Sequence, residues 1–199
     1  MESNLETTIK LENNEVLPII ETVRAALFYR GKFLILQKTI DSKNPGGLEF
    51  PGGKIDNIKN IKSTIEEQEE AVREEIRQET GINISNLLME KVQDFGTYFE
   101  TQDKDGNKKK NKRQVHLFLV RIPDSYEFSI KVNQTRNEKG ESEDKHQDYV
   151  WVSPDELINS AINLKENSKI GKATYPLTRN SRPIKELLKK AGILQDKDN

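Results

Sequence analysis

Glu75 and Glu79 stand four residues apart in a run of strong helix formers, so a helix sets both carboxylates on one face, about a turn from each other. Two like charges at that spacing repel. The repulsion becomes useful when a divalent cation sits between them, because Mg²⁺ favours carboxylate, water and substrate phosphate oxygens. Upstream, Pro51-Gly52-Gly53 excludes helix and regular central strand. It also lets backbone carbonyl and N–H groups come close, as a metal or phosphate ligand requires. Lys38 and Lys54 flank this turn and can meet phosphates as point charges. A glutamate-rich helix alone is more often a solvated face. Its partnership with the glycine turn is what points to chemistry.

Composition narrows the classes further. The 199 residues suit one domain with decorated loops. Hydrophobic and charged residues each make up 33% of the chain, which implies a modest core fed by short apolar bursts. The formal net charge of -1 gives no global field toward nucleic acid or an anionic membrane. The absence of cysteine excludes disulfides, thiolate zinc sites and cysteine nucleophiles, and two histidines are too few for a typical histidine-based metal site. A bound metal is then a hard ion held by oxygen, Mg²⁺ or Mn²⁺. The polar start has no signal-like apolar segment, and no apolar run has bilayer-spanning length, so the expectation is a cytoplasmic protein with no membrane partner.

The elements that must position these residues follow from pattern. Residues 1–15 read as a polar tail or accessory strand, ahead of a single domain over 16–195. TVRAALFYRGKFLILQK reads as two strands joined at Tyr29-Arg30-Gly31-Lys32. A helix spans 64–80, opened by a Thr64/Glu67 capping box and stopped by Gly81, with Ala71, Val72 and Ile76 as its docking stripe. Residues 92–101 and 114–122 form a strand pair with Asp105-Gly106 as the turn signal, and short strands are expected at 125–130 and 148–152. Ser153-Pro154 opens another helix, and an amphipathic helix over 182–190 ends at Gly192. The polar stretches 57–63 and 133–147 read as candidate lids. Mixed strands with outer helices imply an α/β (α+β) layered domain.

FPGGKID followed by AVREEIRQETGI resembles the Nudix box, in which a Gly-Gly turn precedes a helix carrying R-E-U-x-E-E-x-G-U, U being aliphatic. The preceding hairpin and the later Tyr149-Val150-Trp151-Val152 strand fit the same family, and LEFPGGK is most similar to its MutT-like branch, which sanitises oxidised nucleoside triphosphates. Counting back from Gly81, Glu79 takes the second Glu of the pair, Ile76 the aliphatic place and Glu75 the Glu after Arg. Two positions depart: Gln78 replaces the first Glu of the pair and Glu74 replaces the arginine. A second register, built on Arg73-Glu74 with a π-bulge, would restore the Arg-Glu pair. The first is preferred because it keeps Val72 and Ile76 on one face. The connection over 57–63 is longer than is usual in the family.

The resemblance implies a Nudix-like α/β/α sandwich with a mixed central sheet. It also implies a pyrophosphohydrolase acting on a nucleotide-like small molecule, first choice a nucleoside triphosphate, with a catalytically weak binding module as the alternative. Mg²⁺ or Mn²⁺ would be held by Gly52, Glu75 and Glu79. The general base would be a glutamate from the helix or from the loop before the Trp-containing strand, where Glu143 is the choice over Asp144. Lys38 ends a strand that the family directs toward the substrate cleft, and Phe50 is expected to contact the base. His146 is of interest beside the loop of Glu143, whereas His116 in an apolar strand reads as structural. The basic run from Lys108 to Arg113 lacks interleaved aromatics, which argues for a solvated hairpin tip over a nucleic-acid surface. The family often forms homodimers, although no exposed apolar stripe demands one here.

Overall fold

Alternating β-branched and aromatic residues on either side of Arg30-Gly31 build a hairpin of β1 (Ile19–Tyr29) and β2 (Lys32–Lys38). Arg30 and Gly31 have φ of 47° and 76°, the left-handed pair that matches the twist of a two-residue hairpin. The computed structural model describes residues 19–39, 47–55, 62–102, 108–132, 146–162 and 181–195. The tail at 1–15, the Asp105-Gly106 turn and most of the two candidate lids lie outside these described residues.

The hairpin opens almost at once. Only Phe28–Phe33 and Tyr29–Lys32 pair before its strands diverge. The gap is filled by β3 (Leu48–Glu49), which pairs with Leu36 and Gln37 of β2. The chain then runs along β1 through the glycine turn. Ala25 N–H donates to the Pro51 carbonyl at 2.8 Å, Val23 N–H to the Gly53 carbonyl at 2.9 Å, and Ile55 N–H to the Glu21 carbonyl at 3.0 Å. The turn is thus hydrogen-bonded into the sheet, which satisfies its backbone and fixes its place.

The helix α1 (Ile65–Thr80) begins as its sequence signals demand. Thr64 Oγ1 accepts from Glu67 N–H at 3.3 Å, and Thr64 N–H donates to Glu67 Oε2 at 2.8 Å, a complete capping box. It ends at Gly81, φ 73°. It is α-helical throughout, so no π-bulge supports the second register.

Strands β4 (Met89–Gln102) and β5 (Lys108–Arg121) form an antiparallel pair, and β5 lies parallel to β1 from Ile19↔Lys112 to Phe28↔Arg121. Strand β6 (His146–Val152) adds antiparallel to β2, from Phe33↔Val152 to Lys38↔His146. The mixed sheet runs β3-β2-β1-β5-β4, with β6 on β2. One face carries Val23, Ala25, Leu34 and Leu36 against Val72 and Ile76 of α1. The other packs Phe33, Ile35 and Leu117 against α2 (Pro154–Ile162) and α3 (Ser181–Lys190). This is the expected α/β/α sandwich. Among the described residues no helix is long and apolar enough to cross a membrane.

Residues 125–130 form no strand and join no ladder, and Ser125 lies in a turn. Their alternation is satisfied by packing instead. The Phe128 ring lies 5.0 Å from that of Tyr29 and 6.3 Å from that of Trp151, and Lys131 N–H donates to the Thr80 carbonyl at 2.8 Å. The segment straps the end of α1 to the sheet. Strand β6 begins two residues before the expected Asp148, which brings His146 into the sheet.

Candidate active site

The two glycines of the turn serve different needs. At Gly52, φ is 145°, and a Cβ would come within 3.0 Å of the Val23 carbonyl and the Arg24 Cα. Backbone meets backbone there, so only glycine fits. At Gly53 the space of the missing side chain is filled by Glu75, with both carboxylate oxygens within 2.6 Å of where a Cβ would stand. One helical turn on, Glu79 Oε2 accepts from Gly52 N–H at 2.8 Å. The spacing of four residues places both carboxylates against the glycine turn.

Around them runs a closed ring of contacts. Arg24 donates to the Gly52 carbonyl, and its other terminal nitrogen lies 3.2 Å from Glu49 Oε2. Glu49 Oε1 lies 3.0 Å from His146 Nε2 and 3.1 Å from Lys38 Nζ. His146 Nδ1 lies 3.4 Å from Glu79 Oε1, and Glu79 returns to Gly52. Burial alone would raise the Glu49 carboxyl, but Arg24, His146 and Lys38 outweigh it and hold it at about 2. Glu79 has no such surplus. Burial pushes it to about 7, and the Glu75 charge adds to that rise, against the opposing pull of His146, the Gly52 N–H and Arg24.

The expected substrate lysines divide. Lys38 is committed to Glu49, whereas Lys54 is exposed and lines a cleft of about 410 Å³ together with Glu75, Gln78 and Ile55. That volume falls within the size range of small-molecule sites. Phe50 corrects an expectation. Its ring has no exposed surface and packs in the core beside Phe33, at 6.4 Å between centroids, so it supports the turn from below and no base can reach it in this conformation. Glu143 and Asp144 lie outside the described residues. Glu74, in the place of the family's arginine, takes up its own partners. Arg77 binds both its oxygens, at 2.6 and 2.9 Å, and Gln78 Nε2 donates to it at 2.6 Å, which hold its carboxyl at about 2. Gln78 is thereby tied along the helix surface. His116 is fully buried, with Nδ1 2.8 Å from Asp94 and Nε2 3.4 Å from Glu21.

Pattern reasoning missed Arg24 and Glu49, and gave His146 too little weight. A signal was present: each of the first two interrupts an apolar strand segment, Val23-Arg24-Ala25 and Leu48-Glu49-Phe50, and a charge buried in a strand needs a partner.

The donors suit a hard cation. Two carboxylates and the Gly52 carbonyl offer oxygen only, and the cradle at Gly53 holds one carboxylate in place. Among the described residues no three His, Asp or Glu side chains converge as a metal cluster by themselves. A cation here would need further oxygens, from the carbonyl or from water, to complete its shell.

A family model described as NUDIX domain matches residues 20–175. The chain is 26% identical over 142 residues to the CTP pyrophosphohydrolase of Escherichia coli strain K12, which covers 71% of this chain and 82% of that protein. Among solved structures, a MutT protein from Methanosarcina mazei Go1 superposes with a TM-score of 0.55 at 19% identity, covering 88% of this chain and 97% of that one. An Ap4A hydrolase from C. elegans gives a TM-score of 0.51 at 14% identity, over 88% and 99%. At these identities the two structures speak for the fold alone.

Proposed function

We propose, from the premise that the chain belongs to the NUDIX domain family and is a Nudix-type hydrolase acting on nucleoside diphosphate-linked compounds, that its substrate is a nucleoside triphosphate, oxidised or not, split to the monophosphate and pyrophosphate. The observation that supports this best is the meeting of Glu75 and Glu79 at the Gly52-Gly53 turn. Mg²⁺ or Mn²⁺, held by these two carboxylates and the Gly52 carbonyl, would neutralise charge developing on the phosphates and activate water.

The chain's own residues supply the positioning. Gly53 admits the Glu75 carboxylate, and the Gly52 N–H with His146 orients Glu79 from both sides. Lys54, exposed and lining the cleft, meets phosphate oxygens as a point charge. Arg24, with His146 and Lys38, keeps Glu49 ionised and supports the ring. Glu143 takes the proton of the attacking water as its oxygen bonds to phosphorus and the anhydride P–O bond breaks. One feature favours a second reading, a weakly catalytic binding module: Gln78 brings no charge to the site and is bound to Glu74.

The test is a pyrophosphate- and phosphate-release screen with Mg²⁺ or Mn²⁺ across nucleoside triphosphates, an oxidised triphosphate, ADP-ribose and dinucleoside polyphosphates, with Glu79→Gln as control. Metal-dependent turnover of triphosphates that the variant loses supports the proposal. Turnover confined to another compound class moves the substrate, and none at all favours the binding module.

A further inference from the structure

We infer that Arg24 is an internal counter-ion standing in the place of a divalent cation at the Gly52 carbonyl, so that metal binding competes with its guanidinium. The inference rests on the metal reading of Gly52, Glu75 and Glu79. The Arg24 side chain is only 9% exposed and reaches the carbonyl directly. Both Glu79 oxygens are likewise engaged from within the protein, one by Gly52 N–H and the other beside His146. Two of the three donors are thus already engaged by the chain's own groups. Glu49 cannot screen Arg24 fully, because it is shared with Lys38 and His146.

A cation at the Gly52 carbonyl would lie a few ångströms from this fixed positive charge, in a site where water screens little. Arginine cannot shed its proton to relieve the conflict. Occupancy then requires either that Arg24 withdraw onto Glu49 or that incoming phosphates restore the charge balance. The free protein holds divalent ions weakly, and a polyphosphate substrate strengthens their binding. Arg24 in this way couples metal binding to substrate binding and keeps an unloaded site from filling.

The test needs no turnover. Free Mn²⁺ is followed by electron paramagnetic resonance as it is titrated into wild type, R24Q, R24M and R24K without nucleotide, each variant first checked by thermal melting. R24Q removes the charge and keeps an N–H donor, while R24M keeps only the stem, so the comparison stands if one neutral variant fails to fold. The neutral variants are expected to bind Mn²⁺ at least about tenfold more tightly than wild type, with R24K staying within about threefold of it. Neutral variants no tighter than wild type, or R24K as tight as they are, overturn the inference while leaving the metal site standing. Failure of every protein to bind Mn²⁺ overturns the metal reading together with it.

Discussion

Gly53→Ala separates the chemistry of the site from its folding. The added Cβ would have both Glu75 oxygens and the carboxyl carbon within 2.6 Å, where ordinary contact begins at 3.4 Å. What gives way is the far end of a flexible side chain, and φ at Gly53 is not left-handed. The cost to folding is therefore small, within about 1 kcal/mol of wild type, because alanine also restricts the unfolded chain. The carboxylate, however, must move by more than about 1 Å, and a displacement of that order costs roughly 100-fold in rate at a positioned catalytic group. That loss corresponds to about 3 kcal/mol of transition-state stabilisation. Gly52→Ala should behave in the opposite way, since its Cβ meets the Val23 and Arg24 backbone at φ 145°, with strain and overpacking of about 1–3 kcal/mol or more. The assay pairs kcat/KM for the best triphosphate with urea unfolding of the metal-free protein. A Gly53→Ala protein that keeps wild-type kcat/KM, or that unfolds as easily as Gly52→Ala, refutes the reasoning that Glu75 works from the Gly53 cradle.

The pH dependence of stability should isolate Glu79. Its folded value of about 7 lies above the usual 4.5, so the folded state holds a proton that the unfolded chain has lost. Stability from this group falls as pH rises between those values, by up to about 3 kcal/mol, and the penalty is complete above 7. Glu49, at about 2, is stabilising throughout that window and loses its contribution only in stronger acid. Urea unfolding in EDTA at pH 5 and pH 8 should show wild type losing stability relative to Glu79→Gln; parallel behaviour of the two would show that Glu79 is not raised. Restoring the family pattern with the double variant E74R/Q78E should tighten Mn²⁺ binding by roughly tenfold by adding a carboxylate and freeing it from Glu74; an unchanged titration would leave Gln78 irrelevant to the metal. Thr64→Ala removes one half of the capping box and should lower stability by about 1 kcal/mol without changing kcat, as thermal melts and rate assays would show.

Local physics made α1 legible in advance. Its capping box, its glycine stop and the four-residue interval from Glu75 to Glu79 are interactions between near neighbours, so the chain carries them wherever it folds. The first hairpin is legible for the same reason, since Arg30-Gly31 sets the turn within a few residues. The same interval, joined to the Gly-Gly turn, also announced the family and its chemistry. What sequence pattern alone did not decide is how those parts meet. The hairpin opens and the turn threads into the gap because β3 and residues 51–55 claim hydrogen bonds that β1 and β2 leave free, a competition settled only when all three segments are present. Phe50 looked like a ligand contact and became core because the fold covers its ring, while Tyr126 and Phe128 look like a strand and pack as a strap. Arg24, Glu49 and His146 lie up to 122 residues apart in a 199-residue chain, and their polar groups acquire meaning only when the sheet brings them within 3.2 Å of one another in sequence-distant pairs. Buried charge is tolerated only where partners converge, and convergence over such distances is a property of the tertiary structure.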